Sequence, residues 1–105
     1  MTSFEERENA FQAEFAHREE LKFRARERAV TSLALWAAQR LDKASEAAEA
    51  YARQIVGLDV ANPTLDTILE RVAADLQPAG VTRQEVRGAM EQFFAQAETS
   101  AHASA

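Results

Sequence analysis

This sequence predicts an all-α fold: a small four-helix bundle with a long first helix whose N-terminal part forms a mobile arm. Three observations lead there. Four apolar stripes recur at the spacing of one helix face, and three of the four segments open on recognisable start signals. Alanine is abundant, whereas the chain holds only 3 glycines and 2 prolines. With β-branched residues also sparse, that balance favours helix over strand.

The first helix opens at Ser3-Phe4-Glu5-Glu6, a capping box in which the serine hydroxyl and the glutamate satisfy each other's free amides. Nothing from Phe4 to Leu41 breaks it. At about 100° per residue, Phe4, Phe11 and Phe15 share one line, whereas Phe23, Val30, Ala37 and Leu41 cluster roughly 80° around the barrel. The two halves of the helix are therefore expected to meet different partners. The second helix is expected from Ser45 to about Leu58, with Ala48, Tyr51, Ala52, Ile55 and Leu58 on one face. Asn62-Pro63 reads as cap and first residue of the third helix, whose buried face is Leu65, Ile68, Leu69, Val72 and Leu76. Gln77-Pro78-Ala79-Gly80 ends it. Thr82-Arg83-Gln84-Glu85 is a second capping box, flanked by Val81 and Val86 at hydrophobic-staple positions. Val86, Ala89, Met90, Phe93, Phe94 and Ala97 then form the stripe of the fourth helix.

These elements divide the chain into an arm over residues 1–22, a bundle over 23–98 and a tail over 99–105 that has nothing to bury and is expected to be disordered. The expected core is Phe23, Leu33, Trp36, Tyr51, Ile55, Leu69, Val72, Met90 and Phe93. The sequence has 105 residues, enough for one domain with a modest core. It contains no cysteine, which excludes disulfides and thiol chemistry. No apolar run approaches the ~20 residues of a membrane span, so no membrane insertion is expected. A net charge of −5 argues against a nucleic-acid partner, because phosphate backbones are held by clustered positive charge. No nucleophile, acid–base pair or glycine-rich phosphate loop is recognisable, and the chain reads as non-enzymatic. His17 has no companion at metal-ligand spacing, so no metal site is expected.

The front of the chain carries a specific pattern: Phe4, Arg7, Glu8, Ala10, Phe11, Phe15, Ala16, His17, Glu19, Glu20, Leu21 and Phe23, then Leu35 and Trp36. It resembles the zeta inhibitor subunits of alphaproteobacterial F-type ATP synthase. The resemblance continues through Ala37-Ala38, Glu49-Ala50-Tyr51-Ala52, Pro63 and Ala74-Asp75-Leu76. It departs at Arg18, where relatives tend to carry Asp, and at Ala29-Val30-Thr31, where they carry an Arg-Asn-Lys run. The chain is similar to a divergent member. The resemblance implies a regulatory inhibitor that binds the catalytic head of the ATP synthase and blocks ATP hydrolysis through its arm. It also implies a cytoplasmic location, peripheral to the inner membrane through the synthase. No cofactor is implied beyond weak adenine-nucleotide binding, which defines an alternative reading: a nucleotide-sensing or general interaction bundle without inhibition.

The residues expected to bind the partner are Phe4, Glu5, Glu6, Arg7, Glu8, Phe11, Phe15 and His17. Aromatics on one helix face are typical anchors in a groove. Against this stands an arm that folds back onto its own bundle. The glutamates near the start also serve the helix dipole. Lys22, Arg24, Arg26 and Arg28 read as a solvated basic run supported by Glu14–Arg18 and Glu20–Arg24 pairs.

Overall fold

The structure, a computed structural model, describes the backbone of residues 3–104 and the side chains of residues 7–100. Helix α1 runs over Ser3–Arg40, α2 over Ser45–Ala61, α3 over Leu65–Leu76 and α4 over Arg83–Ser104, with one 3₁₀ turn at Gln77–Ala79. No described residue lies in a strand. The four expected helices are all present.

Each chain reversal follows from a local signal. After α1, Asp42 takes a left-handed conformation (φ 56°), which aspartate tolerates better than most residues. The Lys43 amide then donates to the Ala38 carbonyl and the Asp42 amide to that of Gln39, the paired bonds that satisfy a helix's last carbonyls. Gly80 (φ 81°) repeats the device after α3, with Val81 donating to Leu76 and Gly80 to Gln77. The capping box of α4 forms as expected. Glu85 donates its amide to Thr82 Oγ1, and Glu85 Oε1 accepts from the Thr82 amide, both at 3.1 Å.

Three boundaries differ from the sequence expectation. Helix α2 runs three residues past Leu58, through Asp59, Val60 and Ala61, so Asn62 closes it, donating its amide to the Leu58 carbonyl. The cap of α3 is Thr64, whose hydroxyl accepts from the Thr67 amide. At the other end, α4 continues to Ser104, through the segment expected to be disordered. No breaker follows Glu98, and a helix already nucleated propagates cheaply through alanine-rich sequence. The Thr99 hydroxyl adds a bond to the Ala95 carbonyl.

Helix α1 packs chiefly on α2 and α4, and α3 closes the bundle against α4 and α2. The contacting face of α1 is made of small and medium residues: Ala29, Val30, Leu33, Ala34, Ala37 and Ala38, all essentially inaccessible. Four alanines among the six let the neighbouring helices approach closely. Facing them are Tyr51, Ala52, Ile55, Ile68, Leu69, Val72, Leu76, Val86 and Met90. Ala29 and Val30 thus spend the positions of the divergent run on core packing.

Three members of the expected core stand elsewhere. Phe23 is 55% exposed, because the cover at that height falls on the side of Leu21 and Ala25, both partly covered, and not on its own. Trp36 and Phe93 are only half-buried against the core's edge. The Arg40 guanidinium lies 4.1 Å from the Trp36 ring centroid, so one face of the indole is covered by a cation and not by the core. Trp36→Ala is accordingly expected to cost about 2 kcal/mol in a denaturant melt, less than the ~3 to 5 of a buried tryptophan. A loss above about 4 kcal/mol would place the ring inside.

Candidate interaction surface

The molecule measures 64 × 23 × 22 Å, and its long dimension is set by α1, whose 38 residues span about 57 Å. The other helices are too short to follow it. Every described side chain from Arg7 to Glu20 is exposed, and Leu21 is the first to be partly covered. Phe11 and Phe15 are 63% and 54% exposed. An arm folded back on the bundle would have buried them.

The azimuths refine the sequence expectation of two separate stripes. Eighteen residues make about five whole turns, so Ala29 lies directly above Phe11, and Leu33 above Phe15. Both of the upper residues are buried. The phenylalanine line is therefore a straight continuation of one edge of the core-facing side of α1. It becomes exposed because the helices that cover that side end, and the 80° offset is the angle between this edge and the middle of the buried sector, where Val30 and Ala37 lie.

Of the expected partner-binding residues, Arg7, Glu8, Phe11 and Phe15 are exposed together on the arm. Glu8 and Phe15 lie within roughly 60° of Phe11 about the helix axis, and Arg7 flanks them. His17, also exposed, falls roughly 120° from Phe11, on another side. The side chains of Phe4, Glu5 and Glu6 lie outside the described residues. Near the root of the arm, Arg24 pairs with Glu20 at 2.6 Å and Lys22 with Glu19 at 3.6 Å. The expected Glu14–Arg18 pair is not formed.

Arg26 does something that a solvated basic run would not. Its Nε donates to Asp59 Oδ2 at 2.9 Å and Oδ1 at 3.1 Å, and a terminal nitrogen donates to Oδ1 at 2.7 Å. Asp59 is 7% exposed and is the buried charged residue of the described chain. The guanidinium also lies 5.7 Å from the Phe94 ring centroid. Three helices thus meet where the arm leaves the bundle. The hydrogen bond to Asp59 raises the Arg26 pKa more than burial lowers it, so the guanidinium stays charged. Sequence reasoning missed Asp59, whose signal was a carboxylate one turn beyond Ile55 on the buried stripe of α2. A second link was also missed: the Tyr51 hydroxyl donates to Asp75 Oδ2 at 2.8 Å, which Arg71 also reaches. Burial, and then that bond, pushes the Tyr51 hydroxyl above its ordinary pKa.

Several open concavities mark the surface. A cleft of about 420 Å³ between α3 and α4 has Leu65, Leu69, Met90 and Phe94 as its floor, with Asp66, Glu91 and Glu98 outnumbering Arg87 around it. That balance repels a polyphosphate. Among the described residues, no three His, Asp or Glu side chains converge as metal ligands, and no helix is long and apolar enough to cross a membrane.

If the arm owes its exposure to the end of its neighbours, amide exchange should divide α1 sharply. Residues 7–20 are expected to exchange with little protection, and residues 29–38 to be protected by the global stability of the bundle. Uniform strong protection along α1 would contradict this.

A four-helix bundle that extends one helix beyond its partners, with an aromatic line on the free part, defines a small all-α domain with an uncovered helix face. Its family is given by comparison. The model for ATPase inhibitor subunit zeta matches residues 1–100, and the chain belongs to that family. Comparisons with curated proteins and with solved structures return no match.

Proposed function

We propose that this chain is a regulatory, non-catalytic subunit that binds the catalytic head of an F-type ATP synthase and opposes ATP hydrolysis through its N-terminal arm. One observation carries the reading: Phe11 and Phe15 stand exposed on a stretch of α1 that no described residue covers, in a member of an ATPase inhibitor family. Apolar anchors of this kind gain their energy only when a groove removes them from water, about 1.5 to 3 kcal/mol for each phenylalanine fully buried. The bundle supplies a rigid mount. Because α1 passes without a break from mount to arm, an arm seated in a catalytic interface would resist the rotation and closure that turnover requires.

Binding tests the first half of this reading. The intact chain is expected to co-elute with the isolated catalytic head on size exclusion, and a chain lacking Met1 to Glu14 to elute alone while melting at nearly the same temperature. Co-elution of the shortened chain at full occupancy would move the contact to the bundle.

A further inference from the structure

The arm's exposed line has a second regularity. Glu8, Phe11, Phe15, Arg18 and Lys22 are spaced by alternate steps of three and four residues, the spacing of a coiled-coil seam. All five are exposed. Phe11 and Arg18 occupy one seam position, and Glu8, Phe15 and Lys22 the other. Among the described residues, neither Glu8 nor Arg18 is in an ion pair within the chain.

We propose that the arm is an antiparallel self-association surface, on which two copies of this chain pair head to tail. The charges select the direction. In a parallel pair each layer sets a residue against itself, so Glu8 meets Glu8, Arg18 meets Arg18 and Lys22 meets Lys22, three repulsive layers around two aromatic ones. An antiparallel pair instead combines the two seam positions in each layer. In the register that sets Phe11 against Phe15 of the second copy, Glu8 falls against Arg18 of that copy, and two-fold symmetry makes each layer twice. The seam then reads Glu–Arg, Phe–Phe, Phe–Phe, Arg–Glu, with Lys22 beyond it at the level of position 4 of the second copy and no longer against another Lys22. Every one of these layers is favourable, and the two bundles lie at opposite ends of the paired arms, where they do not collide.

The seam is short, about 15 Å between the Glu8 and Arg18 layers, and its phenylalanines must pay for ordering two arms. The dimer is therefore weak and forms as concentration rises. It covers the face that the proposed function uses, so a self-paired arm is withdrawn from other partners, although this proposal stands on the arm alone and does not depend on the ATPase reading.

Sedimentation equilibrium of the intact chain between about 10 µM and 1 mM reads the result directly. A monomer–dimer equilibrium is expected. Arg18→Glu and Glu8→Arg should each weaken it by roughly tenfold or more, since each creates two like-charge layers, and the double variant should return to within about threefold of the parent. Circular dichroism checks that all three keep the helical bundle. A chain that stays monomeric throughout overturns the proposal, as does a dimer indifferent to the single charge reversals. A double variant no better than the singles would overturn the antiparallel register.

Discussion

Leu33→Ala is expected to lower the stability of the bundle by about 3 to 5 kcal/mol, the largest loss of any single truncation in α1. Leu33 is wholly inaccessible and is among the largest of the fully buried side chains. It is also flanked on its own helix by Ala29, Ala34 and Ala37, which cannot spread to fill a void. The cost of such a truncation depends on how far the site can collapse, and close-packed helices on alanine backbones have little room to move inward. Chemical denaturation with an unchanged m-value should show the loss. A change below about 1.5 kcal/mol would mean that the face of α1 is not the centre of the core.

Arg26→Ala is expected to cost about 3 kcal/mol, nearly as much as a core truncation, although the residue is partly exposed. The side chains of Arg26 and Asp59 are 29% and 10% exposed. Removing the arginine leaves Asp59 with an uncompensated charge in a place that water reaches poorly, and breaking a buried pair from one side is what makes it costly. Removing both charges should be milder, so Arg26→Met with Asp59→Leu is expected to recover at least half of the loss. Thermal melts of the three variants decide it. Equal losses for the single and double changes would show that packing around the guanidinium stem, including its contact with Phe94, matters more than the charge pair.

Helix number and order were legible because capping boxes and period-3.6 stripes are local, and of the expected start signals the Thr82 box forms, while the side chains of the Ser3 box lie outside the described residues. The second capping box, the left-handed glycine after α3 and most of the core on α2, α3 and α4 appear where the sequence placed them. What the sequence could not supply is where partners end. Phe23 has the azimuth of a core residue and is exposed, because burial depends on which side is covered at that height as well as on the residue's own face. The same limit hid the relation between the two halves of α1, whose aromatic line is one edge of the core face carried past the bundle. Arg26 read as part of a solvated basic run, since its partner lies 33 residues away on another helix. Asn62-Pro63 misled for a different reason: Asn serves at either end of a helix, and the Thr64 cap two residues later won.

The central claim is that the exposed phenylalanines of the arm act on a partner and not on the fold. Hydrolysis of ATP by the isolated catalytic head, titrated with the intact chain and with a Phe11→Ala/Phe15→Ala chain, tests it most directly. The intact chain should inhibit. The double variant should need at least tenfold more protein for the same effect, as expected when two anchors worth ~1.5 kcal/mol or more each are lost, while its melting temperature stays within about 2 °C of the parent because neither ring touches the core. Equal inhibition by both chains, or no inhibition by the intact chain in excess, would contradict the account.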